Sequence, residues 1–329
     1  MNNFLNINAI IIIYYPDLKV LSDCIKKLSL QVNNIIIIDN TPIESQFQIS
    51  DISGIDFHKI QLVRLGDNFG IAYAQNIGIE IAFKNNAEYI LFLDQDSIPD
   101  HDMVSKLLFR FKYESEKKLE NRIAGVGPIQ IDRRNGTKSN FLHENIFLQI
   151  LRFFKFKKDP LIALQVNFLI SSGMLLSKEV LLISRGFRSN YFIEHVDTEW
   201  CKRVSNLNYY LLGVNDAFIY HSIGEKVIRV WFFHFRNINI HSPIRNYYLI
   251  RNTILMIKDC NLTLFEHLFH IYRLLRIFLL SFLFETDKIN RIKFSYLGII
   301  HGLKRISGKL NPESGECQLI PSTSFDPLN

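Results

Sequence analysis

Cysteine, glycine and long apolar runs are scarce in this chain, and each scarcity removes a class of site. Its 329 residues hold 4 cysteines, Cys24, Cys201, Cys260 and Cys317, scattered without metal-ligand spacing. They read as reduced thiols, which excludes a disulfide-stapled scaffold and a structural zinc knot. Only 15 glycines occur, with no G-x-G-x-x-G after the first strand-like run and no G-K-S/T anywhere. Sites that hold phosphate by backbone amides alone, as in dinucleotide and P-loop folds, are thereby excluded. No apolar run reaches the roughly 18 residues of a spanning helix. The longest candidate, residues 277–284, is short and follows Arg273 and Arg276. Residues 1–6 lack a basic segment, so no signal peptide is expected.

Acidic residues are scarce in one region only. The net charge is +6, but residues 226–309 carry 14 Lys and Arg against 4 Asp and Glu, which leaves the remainder slightly acidic. A basic C-terminal part is expected to face something anionic: a membrane surface, a nucleic acid or a phosphorylated lipid. With 48% hydrophobic residues, the chain has ample material for one large α/β domain with an appendage.

What is present is strand–helix alternation. Residues 9–14 form a continuous run rich in isoleucine, the pattern of a strand buried on both faces of a parallel sheet. Residues 35–38, 60–65 and 89–93 repeat it. Leu18, Leu21, Ile25 and Leu28 recur at helical spacing after the first strand, and Ala72, Ala74, Gly78 and Ala82 mark a helix after the third. Short links between such units predict a doubly wound, mostly parallel sheet with helices on both faces, whose ligands bind beyond the carboxyl ends of the strands. Tyr14 to Asp17, Asp39-Asn40, Asn68 to Gly70 and Asp94 to Asp96 all fall at such ends. The expected plan is a nucleotide-binding domain over 1–240, a basic, aromatic helical extension over 241–310 and a flexible tail over 311–329. Residues 143–164, where Phe and Leu mix with Arg and Lys, read as a packed helix, an amphipathic surface element or a lid.

Asp94-Gln95-Asp96 follows a buried strand with two acids at i and i+2, which share one face of extended backbone. They can converge on a hard cation such as Mg2+ or Mn2+, or serve as a solvated turn. Asp39 can accept from a ribose or base, or cap its own turn. Val166 to Ile170 predicts a strand turning through Ser171, Ser172 and Gly173, where small side chains would let a substrate approach the backbone. Glu194-His195-Val196-Asp197-Thr198-Glu199-Trp200 packs three acids beside an aromatic residue. Asp197 reads as a helix cap or as a general base, with Trp200 as a platform for a sugar. His221 ends a short strand and reads as structural or as a ligand.

These motifs, with Asn76-Ile77-Gly78, Ser222-Ile223-Gly224 and Arg245-Asn246-Tyr247-Tyr248, resemble in order those of family-2 glycosyltransferases of the GT-A fold, over residues 8–255. The branch that the chain resembles comprises bacterial rhamnosyltransferases of O-antigen and other cell-surface polysaccharides. The resemblance implies a nucleotide-diphospho-sugar donor, with dTDP-rhamnose favoured, bound by Tyr14, Asp39, Asn68, Gly70, Asn76, Asp94, Gln95 and Asp96. It implies that Asp94, Asp96 and His221 hold Mg2+ or Mn2+, and that Ser172, Gly173 and Trp200 line the acceptor side. Asp197 is the candidate base for an inverting transfer, with Glu194 and Glu199 as alternatives that spacing does not separate. The implied acceptor is a lipid-linked oligosaccharide rather than a nucleic acid, met at the cytoplasmic face of a bacterial inner membrane that the protein touches peripherally. Other readings are a UDP-hexose or galactofuranose transferase, a metal-dependent nucleotidyltransferase and an inactive scaffold.

Overall fold

The computed structural model describes residues 5–45, 57–117, 122–139, 141, 163–221, 226–232, 234–240, 242–284 and 287–327. The segment expected as a lid or surface element, 143–164, lies almost wholly outside these residues. Four parallel strands form one half of a nine-stranded sheet: β1 (Ile7–Ile13), β2 (Asn34–Pro42), β3 (Ile60–Gly66) and β4 (Tyr89–Asp94), in the order β3-β2-β1-β4. All seven residues of β1 are buried. Ile10 and Ile12 enter one core while Ala9, Ile11 and Ile13 enter the other, so an unbroken apolar run is what a strand covered on both faces requires.

The sheet continues through β8 (Leu175–Ser177), β6 (Arg122–Asp132), β9 (Tyr209–His221) and β5 (Ile98–Pro99), with β7 (Ala163–Val166) paired to β9. Here antiparallel pairs enter, but β6 and β9 run parallel. The strand expected over 166–170 ends at Val166, and residues 167–174 form the loop leading to β8. Helices α1 (Leu18–Ser29) and α3 (Met103–Lys117) cover one face through Leu21, Ile25, Leu107 and Phe111. Helix α2 (Ile71–Lys84) covers the other through Ala72, Ala74 and Ile79. It lies so close that a Cβ on Gly78 would stand 2.6 Å from Ile10. Short α4 (Lys178–Ser184) and α5 (Val196–Asn206) share that face.

The hairpin β10 (Lys226–Phe232) and β11 (His234–Ile240) leads into three C-terminal helices, α6 (Pro243–Asp259), α7 (Leu264–Phe284) and α8 (Lys288–Lys304). No helix among the described residues is long and apolar enough to cross a membrane. Helix α6 is no appendage. Its residues 246–253 are buried, and Tyr247 and Tyr248 form a third core with Phe192, Phe294 and Leu310.

The tail corrects the expectation of flexibility. After the small ribbon β12 (Lys309–Leu310) and β13 (Cys317–Gln318), Ser324 bonds Glu80 and the Phe325 ring meets Phe83 edge-on at 5.1 Å. Asp326 accepts from the Ser189 amide at 2.9 Å and from Asn76 at 3.3 Å. Proline and glycine content signals turns but carries no sign of such distant partners. Asp326→Ala would strand the buried Ser189 amide, with an expected loss of about 1–3 kcal/mol in a urea-unfolding comparison.

Candidate active site

The carboxyl ends of β1, β2 and β4 form one edge, and the acidic pair stands on it. The ligand atoms of Asp94, Asp96 and His221 lie within 4.8 Å of one another. His221 Nδ1 is 3.0 Å from Asp96 Oδ1 and 3.1 Å from Ser97 Oγ. The parallel pairing of β6 with β9 brings His221 here, opposite Asp132. The two carboxylates suit Mg2+ or Mn2+, which seek oxygen, and the imidazole adds a nitrogen donor beside them. Burial, added to by neighbouring Asp96 and opposed by His221, pushes the Asp94 carboxyl up to about 6. For His221 burial acts downward, yet the Asp96 bond and nearby Asp94 and Asp132 hold it above its ordinary value. A divalent ion would relieve the repulsion between the acids, so the residues fit the group.

Ser97 is the member that sequence reasoning missed. Ser172, expected on the acceptor side, is found beneath the acidic pair. Ser172 Oγ accepts from the Asp94 amide at 3.1 Å and donates to Ser97 Oγ at 2.7 Å. That chain of hydroxyls runs from the Asp94 backbone to the His221 ring and ties the two together. Small hydroxyl side chains give no pattern from which such a relay could be read.

Asp197 sits in the first turn of α5, where Oδ2 accepts from the Ser171 amide at 3.0 Å. Consecutive residues thus serve two groups: Ser171 holds Asp197 and Ser172 holds Asp94. Burial raises the Asp197 carboxyl to about 7, against the Ser171 bond and with added repulsion from Asp94 and Glu194. A carboxylate that changes state near neutrality, next to the cation-type group, can take a proton from a hydroxyl. The other acids are engaged. Glu199 is enclosed by Arg188 and Arg203, both at 2.8 Å, and these outweigh burial to hold it below its ordinary value. Glu194 receives Arg245 Nε at 2.9 Å.

The loop preceding Asp197 is held against its preference. Phe192, Glu194 and His195 have φ of +65°, +64° and +61°, a region that side-chain-bearing residues avoid. Asn252 of α6 donates to the carbonyls of Tyr191, Ile193 and Glu194 at 2.9, 2.7 and 3.0 Å. Buried Arg251 adds a bond to Tyr191 O at 2.9 Å, and the Ile71 amide donates to Phe192 O at 2.8 Å. Gly70 permits this last approach, because a Cβ there would stand 2.5 Å from the Phe192 carbonyl.

The remaining expected residues divide. Gln95 grips the Tyr14 backbone, accepting from its amide at 2.7 Å and donating to its carbonyl at 3.1 Å, which leaves the Tyr14 ring exposed at the edge. Asp39 is buried, with Oδ1 on the Thr41 amide and Oδ2 without a partner, so it has an acceptor to offer a ligand. Asn68 shapes its loop: its Oδ1 accepts from Asn40 and the Gly70 amide. Asn76 is a correction. It faces inward and binds the Phe187 backbone at 2.7 and 2.9 Å, so it braces α2 rather than touching a nucleotide. Trp200 is another, fully buried against Phe187 with its Nε1 on Ser184, leaving no face for a sugar. At Gly173 a Cβ would stand 2.6 Å from Pro128, so close packing and φ of +90° account for the glycine.

The mixed, mostly parallel sheet, with Asp94 and Asp96 at the carboxyl edge of its parallel half, has the architecture of the GT-A type. The family model Glycosyl transferase family 2 matches residues 9–182, and the chain belongs to that family. It is 33% identical over 310 residues to the dTDP-rhamnosyl transferase RfbF of Shigella flexneri, covering 92% of this chain and 97% of that protein. Solved structures share the fold. S. aureus TarS 1-349 in complex with UDP-GlcNAc aligns with TM-score 0.58 and 14% identity, over 92% of this chain and 83% of that one. GalNAc-T7 with UDP, GalNAc and Mn2+ aligns with TM-score 0.55 and 11% identity, over 93% and 57%.

Proposed function

We propose that this glycosyltransferase moves rhamnose from dTDP-rhamnose, with inversion, onto a hydroxyl of a lipid-linked cell-surface glycan. It would act from the cytoplasm, at the membrane face. The observation that carries the reading is the Ser171-Ser172 step, which places Asp197 beside the Asp94 group. The similarity to a dTDP-rhamnosyl transferase along 92% of the chain supports the donor. Asp94, Asp96 and His221 would hold Mg2+ or Mn2+, whose chemistry when bound is to neutralise charge on a departing diphosphate. Asp39 Oδ2 accepts from the base or ribose, while Gln95 keeps the Tyr14 ring at the same edge. Asp197 takes the proton of the acceptor hydroxyl as that oxygen attacks opposite the leaving group.

The test is a panel of nucleotide sugars with a lipid-linked acceptor, with and without chelator. Release of dTDP from dTDP-rhamnose is the expected result. UDP release from a UDP-hexose or UDP-galactofuranose alone would replace the donor, and pyrophosphate release would point to nucleotidyl transfer. Asp96→Asn is expected to lower turnover by on the order of 10²–10³, and chelator should do the same. Turnover indifferent to both would remove the cation from the scheme.

A further inference from the structure

Helix α7 reverses the usual order of a surface helix. Between 264 and 279 every exposed residue except Arg276 is Leu, Phe, Ile or Tyr. Leu264, Leu268, Tyr272, Leu275 and Leu279 recur at helical spacing, and Leu264 is 77% and Leu275 65% exposed. A water-facing helix places charge at such positions. Helix α8, next in the chain, repeats the pattern: Ile289, Ile292, Tyr296, Ile299 and Leu303 form an exposed stripe at i, i+3, i+7, i+10 and i+14. The α7 face alone gathers nine exposed apolar side chains on adjoining positions, where an ordinary monomer scatters them singly.

Charge selects the occupant. Exposed Arg276, Lys288, Lys293 and Lys304 accompany the two stripes. Of the described acids here, Glu266 is paired with Lys202 at 2.8 Å, and Asp287, bonded to Asn290 at 2.9 Å, is outnumbered by these four cations. A second copy docked face to face would bring these cations against their equivalents. An anionic lipid surface complements them, the lysine stems reach along apolar neighbours to the headgroups, and Tyr272 and Tyr296 suit the headgroup level. The geometry fixes the mode of contact: α7 cannot span, so an apolar face ringed by cations lies along the surface. We propose that α7 and α8 form a docking face that seats the protein on an anionic bilayer.

The face is also tied to the site. Glu266 of α7 is held by Lys202 of α5, the helix that bears Asp197. Helix α8 packs on α6 through Gly298, whose Cβ position lies 2.8 Å from the Tyr247 carbonyl, and α6 clamps the loop before Asp197. If the proposed function holds, a lipid-linked acceptor would arrive on the docked side.

The experiment is flotation of the full chain with phosphatidylcholine vesicles, with and without phosphatidylglycerol. Its readout needs no activity, so its failure is separate from failure of the transfer reaction. Binding is expected with phosphatidylglycerol, weakening in high salt. The double variant Leu268→Glu/Leu275→Glu should weaken it about a hundredfold, with its far-ultraviolet circular dichroism unchanged because both side chains are exposed. Lys293→Glu/Lys304→Glu should abolish the preference for phosphatidylglycerol while sparing the fold, because both side chains are exposed. Binding unaltered by both variants would overturn the proposal. So would absence of binding together with a dimer that Leu268→Glu/Leu275→Glu dissociates, which would make the face a subunit interface.

Discussion

Asp197→Asn should nearly abolish turnover while making the metal-free protein more stable. A general base contributes roughly 10²–10⁴ in rate, and an amide at this position cannot take a proton. Turnover should therefore fall on the order of 10³, with little change in KM for the donor. Stability moves the other way because Asp197 is costly to ionise where it lies. Its carboxyl stands near 7 in the folded chain against an ordinary 3.8. Below the ordinary value both states are protonated and the residue contributes nothing. Between the two values the folded state holds a proton that the unfolded state has released, so stability falls as pH rises. Above 7 the full penalty is present, at most about 4 kcal/mol. The asparagine escapes it, keeps an oxygen for the Ser171 amide and fills the same volume. In chelator, the Tm gain of the variant should grow from pH 4 to pH 8 and then level off. Wild-type turnover should drop as pH falls through about 7, and Glu194→Gln should leave that limb in place. A variant with near-normal turnover, or a Tm difference flat with pH, would mean that Asp197 is not the base.

Which parts could be read beforehand follows from how local each signal is. The β1 to β4 half declared itself because strands covered on both faces need unbroken apolar runs, as residues 9–13 and 35–38 supply. Asp94 and Asp96 were legible as a pair because both acids fall within three residues at the end of such a strand. His221 was not, except through resemblance: it reaches Ser97 from 124 positions away, carried by the β6–β9 register. Asn76 and Trp200 were misplaced for one shared reason. A sequence gives the type of a side chain on a helix but not its direction, and both turn into the core. The choice among Glu194, Asp197 and Glu199 also needed coordinates. The arginines that enclose Glu199 are Arg203, one turn away, and Arg188, on another segment, while Arg245 reaches Glu194 from α6. The same holds for the buried tail, whose anchors on Asn76 and Glu80 lie some 250 and 244 residues earlier.

Asn252→Ala should be the most damaging substitution outside the site itself. The amide is fully buried and its two hydrogens serve three carbonyls of residues 191–194, while its oxygen accepts from Arg251 Nε at 2.9 Å. Removing it leaves several buried polar groups without a partner, at a cost of about 3–5 kcal/mol. The loop it holds also contains three side-chain-bearing residues at positive φ, each strained by about 1 kcal/mol or more. Without the clamp that strain has an outlet, and the turn that aims Asp197 can relax. A displacement of about 1 Å in a reacting group can cost roughly a hundredfold in rate. The expected signature is therefore a kcat reduced about a hundredfold with KM for the donor little changed, because Asp39, Tyr14 and the Asp94 group rest on other strands. Thr253→Val is the matched comparison, since it removes the bonds of the neighbouring Thr253 to His195 Nε2, 2.9 Å away, and to the Leu249 carbonyl, 2.7 Å away, and leaves the carbonyls that Asn252 holds satisfied. It should unfold at higher urea than Asn252→Ala and keep most of the wild-type kcat. If Asn252→Ala is too unstable to assay, Gly70→Ala perturbs the same loop from the other side, pressing on the Phe192 carbonyl, and should show the same split between kcat and KM. A loss confined to donor KM in either variant would mean that the loop serves the nucleotide and not the base.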